Sequence, residues 1–207
     1  MDTIVLILIL LTAFNFLLKQ TFWKPVAVGA AAGIATIFVI LMWPYAIEQS
    51  KTQIADWLSD NQLMLDTSVV LTLEIVVQMA FCLLAVHVAN YSPVKNRMMV
   101  AYRLLYWFPG VLIIPVLFFG LTQAIFSFPG VSFKLMFGLF VFVVIPFGRW
   151  LIKWLLPEED LRLELFFLTN ALVAILGIIA TVNGRTAVEG VGDVDWSALI
   201  GCVVLFL

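Results

Sequence analysis

One histidine and two cysteines in 207 residues leave little for metal or redox chemistry. His87 alone excludes bis-histidine haem ligation and zinc sites built on several histidines from this chain. Cys82 and Cys202 lie in separate apolar runs without a CxxC spacing, so neither a dithiol redox centre nor a disulfide framework is indicated. Charge is scarce as well: 12% of residues are charged and the formal net charge is −2, without the basic patch that nucleic-acid binding needs. No HExxH, GxSxG or P-loop occurs, nor any pair of intramembrane aspartates in a flanking motif. A serine- or metal-dependent membrane enzyme is therefore not expected, and no cofactor is called for.

What is present is apolar. The chain is 64% hydrophobic with a mean hydropathy of +1.13, against ~45–50% apolar residues in ordinary soluble domains. At ~20 residues per span the length fits about six or seven transmembrane helices and no further domain. The expected fold is all-α: a polytopic bundle forming one transmembrane domain over residues 1–207. Long apolar runs place spans at Thr3 to Leu18, Val26 to Ala46, Thr67 to Ala89, Leu104 to Phe126, Val131 to Ile152, Leu165 to Val182 and Trp196 to Leu207. The N-terminus opens Met1-Asp2-Thr3 rather than on a basic stretch, so it reads as a retained span, not a cleaved signal. The first and last spans are short for a ~30 Å core and need a tilt-free pose, local thinning or partner coverage.

Lysine and arginine set the orientation. With the N-terminus outside and the C-terminus inside, the inner connections carry Lys19, Lys24, Lys95, Arg97, Arg103, Arg149, Lys153 and Arg162, leaving Lys51, Lys134 and Arg185 outside, a positive-inside pattern. In the outer connection from Ser50 to Leu65, Ile54, Trp57, Leu58 and Leu65 fall near helical spacing, which predicts an amphipathic helix on the outer leaflet. The last outer loop gathers Glu189, Asp193 and Asp195, but in no established calcium spacing; a solvated acidic turn is expected. Phe108-Pro109-Gly110-Val111 recurs as Phe128-Pro129-Gly130-Val131, two helix starts built alike. Pro44, Pro115 and Pro146 are expected to kink their spans.

The third span holds the residues that are hardest to bury. Glu74 lies eight residues, ~12 Å, along the helix from Asp66, and Glu74, Gln78 and Cys82 step by four into one polar stripe. A carboxylate there must be protonated, bonded to a partner or facing water. Glu74, with Gln78 and Asp66, is thus either a proton- or ion-pathway group or an inter-helix or inter-subunit bond, unless Glu74 merely reaches the outer interface. His87 lies too far round the helix to relay from Glu74. Asn15, Gln123 and Asn170 read as packing contacts between helices. Arg149 and Lys153, one turn apart and followed by Glu158, Glu159 and Asp160, form either a surface ion-pair cluster or a docking patch for another subunit.

Two function classes fit: a non-catalytic subunit of a larger membrane complex, or a small secondary transporter or channel. A transporter needs several convergent midplane groups and discontinuous helices, whereas one strong polar residue stands out here, so the subunit is the expectation. The segment from Gln53 to Leu65 running into Asp66-Thr67-Ser68 and a glutamate-bearing span, the basic Lys95-Asn96-Arg97 loop and the two Phe-Pro-Gly-Val starts together resemble multi-spanning proteins of Gram-negative bacteria encoded beside TonB-type energy-transducing motors. The resemblance implies an accessory inner-membrane subunit that docks on such a proton-motive-force-driven motor through other integral membrane subunits. It does not extend to the motor's stator subunit, which has three spans and a large cytoplasmic part.

Overall fold

A computed structural model describes residues 2–49, 53, 61–90, 96–128 and 134–182. Among these every regular element is a helix: α1 (Asp2–Gln20), α2 (Pro25–Ile47), α3 (Asn61–Asn90), α4 (Asn96–Trp107), α5 (Ile113–Ser127), α6 (Lys134–Leu155) and α7 (Glu159–Val182). Four stretches are long and apolar enough to cross a membrane: Pro25–Ile47, Asp66–Asn90, Lys134–Leu155 and Glu159–Ile179. Over the described residues the chain is all-helical, and it is a membrane protein. The expected segment from Trp196 to Leu207, the acidic loop before it and most of the expected amphipathic helix lie outside the described residues; Asn61 to Leu65 belong to α3.

Local chemistry explains the boundaries. Pro25 opens α2 at a position where its missing N–H is not needed, after Lys24 in extended backbone (φ −69°, ψ 151°). Glu159 and Asp160 occupy the first turn of α7, where the helix dipole favours negative charge. Helices begin shortly after both Phe-Pro-Gly-Val sequences, at Ile113 and at Lys134. Pro115 stands in the first turn of α5 and so displaces no intrahelical bond, contrary to the kink expected there. Pro44 and Pro146 are inside α2 and α6.

α1 is the central strut. On one side α2 packs along α6 and against α5; on the other α3 packs along α7 and against α4; α1 touches α5, α6 and α7. Small residues permit the close approaches, as membrane helices require where apolar burial gives little net drive. A Cβ on Gly138 of α6 would lie 3.3 Å from Thr36 of α2, and one on Gly148 would lie 2.9 Å from Leu17 of α1. The core is built around Phe16, Val28, Ala32, Val39, Leu121 and Ile145 on the α2 side and around Leu18, Phe81, Ile152 and Phe166 on the α7 side. In α6 the buried residues Gly138, Val141, Ile145 and Ile152 form one stripe, while Leu139, Phe140, Val143, Phe147, Trp150 and Trp154 are exposed.

A second expectation is corrected. The apolar run from Leu104 to Phe126 is not one continuous helix: α4 ends at Trp107 and α5 begins at Ile113, because Pro109 cannot donate to the helix and Gly110 takes a positive φ of 100°. The C-terminal end of α1 is covered within the chain. Leu18, Lys19, Gln20 and Thr21 are at most 1% exposed, enclosed by the other helices of the same chain.

Candidate functional site

The interruption between α4 and α5 is where the buried charges gather. Glu74 is buried within α3. Its Oε2 accepts the backbone N–H of Val111 and that of Leu112, both at 2.7 Å, and its Oε1 accepts Gln78 Nε2 at 3.2 Å. These two amides stand at the start of α5, where a helix leaves donors without intrahelical acceptors and carries its positive dipole end. A carboxylate from a neighbouring helix thus caps α5 in trans, using its oxygens only as acceptors. Gly110 makes the approach possible: its positive φ is one that side chains rarely adopt, and a Cβ there would lie 2.5 Å from Glu74 Oε1.

On the other side of the interruption Lys19 of α1 donates from Nζ to the carbonyl of Leu105 at 3.1 Å, close to the C-terminal end of α4. The ammonium sits 3.0 Å from the centre of the Phe81 ring and 5.7 Å from that of Phe166, a cation on aromatic faces. Trp23 Nε1 donates to the next carbonyl, Tyr106, at 2.7 Å, and the Tyr106 hydroxyl donates to Phe22 O at 2.6 Å. Phe81 stacks on Tyr102 and meets Phe166 edge-on. Since Phe81 is seven residues beyond Glu74, the two charges are offset by ~10 Å along α3.

Two arginines repeat the arrangement. Arg149 of α6 donates from Nε to Gln20 O (3.2 Å) and from Nη2 to Trp23 O (3.1 Å), covering the end of α1. Arg162 of α7 donates from Nη1 to Leu156 O and Pro157 O, both at 2.7 Å, at the end of α6. Each of the three cations lies at the carbonyl end of a helix and Glu74 at an amide end, which is the pairing that helix dipoles favour.

Of the residues singled out in the sequence, Glu74, Gln78 and Cys82 share a buried face of α3. Asp66 is exposed and does not join them. Arg149 turns into the chain, whereas Lys153 is half-buried, near Arg149, Arg162 and Glu159. His87 is half-buried near the end of α3, and Gln123 is exposed. Asn15 accepts from the Thr169 hydroxyl, joining α1 to α7, and Asn170 Nδ2 donates to Phe166 O at 2.7 Å within α7. Among the described residues no three of histidine, cysteine, aspartate or glutamate converge as metal ligands.

Sequence reading passed over Lys19, treating it as one more inner-side charge. Its signal was the spacing: Thr12, Asn15 and Lys19 fall three and four apart and are all buried, a polar stripe on the central helix that mirrors Glu74 and Gln78 on α3. Gln20 carried no such signal. It is fully buried, and neither polar atom of its side chain has a hydrogen-bond partner.

Compared with known protein families, curated proteins and solved structures, the chain matches none.

Proposed function

We propose that this chain is a non-catalytic accessory subunit of a multi-subunit complex in a bacterial inner membrane, crossing it about seven times with the N-terminus outside, the C-terminus inside and an interfacial helix ahead of Asn61. The complex we favour is a proton-motive-force-driven motor of the TonB type, on the sequence resemblance described above. The observation that supports a structural subunit is the use of the buried charges. Glu74, Lys19, Arg149 and Arg162 direct their hydrogen bonds to backbone at helix ends of the same chain, so the groups hardest to bury hold the bundle together rather than line a path for solute. The docking surface we assign is the end of α6, where half-buried Lys153 stands beside exposed Trp150 and Trp154, residue types suited to an interface at membrane-surface level.

Purification of the tagged native chain in mild detergent, followed by mass spectrometry, tests this reading. Other integral membrane subunits are expected in stoichiometric amounts, and Lys153→Glu combined with Trp154→Ala is expected to release them. A monodisperse lone chain with full activity overturns it.

A second reading, a small transporter or channel, is favoured by one specific observation: an interrupted helix whose open amide end meets a buried carboxylate, an arrangement found where transporters bind ions. Solute or proton flux through liposomes holding this chain alone, abolished by Glu74→Gln, would establish it in place of the first.

A further inference from the structure

A groove between the last turns of α3 and the first turns of α7 encloses about 590 Å3, inside the ~300–1,000 Å3 of small-ligand sites. It runs from Asn90 to Cys82 on one helix and from Asp160 to Leu168 on the other, eight residues or ~12 Å along each. Its walls are apolar, with Val86 and Phe167 among them, while Asp160 and Glu164 line its mouth beside Asn90. The groove starts next to Phe81, the residue against which Lys19 packs, and continues past the basic end of the bundle, the level at which lipid headgroups meet a membrane protein.

The two carboxylates are one turn apart on the same helix face, a spacing at which like charges oppose each other. Both are exposed, and neither has an ion-pair partner among the described residues. Arg162, between the two on the same helix, donates instead to the carbonyls of Leu156 and Pro157 in the α6–α7 connection. Among the described residues no cation is bonded to either carboxylate, and an ammonium with N–H donors supplies both the charge and the hydrogen bonds that two carboxylates take up.

We propose that the groove binds one membrane phospholipid with a primary ammonium headgroup, the ammonium between Asp160 and Glu164 and the proximal acyl chain running past Val86 and Phe167 towards Cys82 and Leu168. Native mass spectrometry of the full chain in mild detergent, titrated with phosphatidylethanolamine and phosphatidylglycerol of identical chains, tests this. The expected result is one phosphatidylethanolamine per chain, retained about tenfold more tightly than phosphatidylglycerol. Capping the amine by N-acylation of the lipid is expected to remove the preference without any change to the protein. The double variant Asp160→Asn, Glu164→Gln is expected to lose it while still accumulating as folded protein in membranes. Equal retention of the lipids, or an unaltered preference for the amine-capped lipid, overturns the proposal. So does a lipid-free groove in which a photoreactive probe at Leu83→Cys captures a protein subunit in native membranes.

Discussion

Lys19 and Glu74 hold the two facing ends of one interrupted helix, the ammonium on a carbonyl near the end of α4 and the carboxylate on the amides that start α5. They do not pair with each other. Opposite charges that met directly would leave both helix ends unsatisfied. Divided between the ends, each charge satisfies backbone groups that the break exposes and that hydrocarbon could not solvate.

Glu74→Gln and Glu74→Leu should therefore differ sharply. In the glutamine variant the amide oxygen can keep both backbone bonds, and Gln78, whose Oε1 is unpaired, can turn that oxygen towards the new amide nitrogen. Only the charge-to-dipole attraction is lost, about 1 kcal/mol. Leucine strands the buried Leu112 amide, at about 1–3 kcal/mol, and the part-buried Val111 amide at a smaller cost. Thermal unfolding in detergent is expected to rank native, glutamine and leucine forms in that order, with the leucine form well separated. A leucine variant as stable as the glutamine one would show that the clasp does not hold the fold.

Gly110→Ala attacks the same clasp from the opposite side. The new methyl carbon would enter the position of the Glu74 carboxylate on a backbone conformation that side chains disfavour, and such strain alone amounts to about 1–3 kcal/mol. Because both changes break one contact, the loss in a Gly110→Ala, Glu74→Leu double variant should fall short of the sum of the single losses. Additive losses would mean that Gly110 acts through its backbone alone.

The helical, membrane-embedded character of the chain was legible because it needs only composition and run length. Glu74 stood out because a carboxylate in an apolar run must be protonated, bonded to a partner or facing water. The interruption at Phe108 to Leu112 was written in Pro109-Gly110 but hidden by the apolar residues on either side, which a hydropathy reading joins into one span. The partner of Glu74 could not be found by searching for cations, since it is backbone, and backbone donors leave no mark in the sequence. Lys19, Arg149 and Arg162 were noticed for their charge at one end of the bundle, whereas their geometry as caps of helix ends depends on which helices meet there.

Lys19 offers a contrast between losing a charge and reversing one. Lys19→Met keeps the length and apolar stem, and Leu105 O still receives the Phe108 N–H at 3.3 Å, so the change in stability should stay within about 1 kcal/mol. Lys19→Glu places a carboxylate against the carbonyl end of α4 and the electron-rich faces of Phe81 and Phe166. Accumulation of folded protein in membranes is expected to persist for methionine and to collapse for glutamate. Loss of the methionine variant would show that the ammonium itself is needed at this site.

Arg149→Ala removes both side-chain donors from the carbonyls of Gln20 and Trp23 at the turn joining α1 to α2. Gln20 O keeps the Trp23 N–H at 3.2 Å, so Trp23 O is the acceptor most affected, and stability is expected to fall by about 1–2 kcal/mol. Arg149→Lys can reach one carbonyl but not span both, since an ammonium lacks the planar fork, so its melting temperature should fall between those of the native and alanine forms. If lysine equals arginine, positive charge alone suffices there.

Gln20 is the position at which a single change should make the protein more stable. Its side chain is fully buried with both amide atoms unpaired, and an unpaired buried polar group costs about 1–3 kcal/mol. Methionine has nearly the same length and volume, adapts its rotamers to the space and carries no strong donor or acceptor. The backbone carbonyl of Gln20, which accepts from Arg149, is untouched by the substitution. Gln20→Met should therefore raise the midpoint of thermal unfolding in detergent, while Gln20→Ala, which removes the same polar atoms but opens a cavity, should lower it. A methionine variant less stable than the native chain would mean that the amide does have a partner, and an ordered water between Gln20 and its neighbours would then be the first thing to seek.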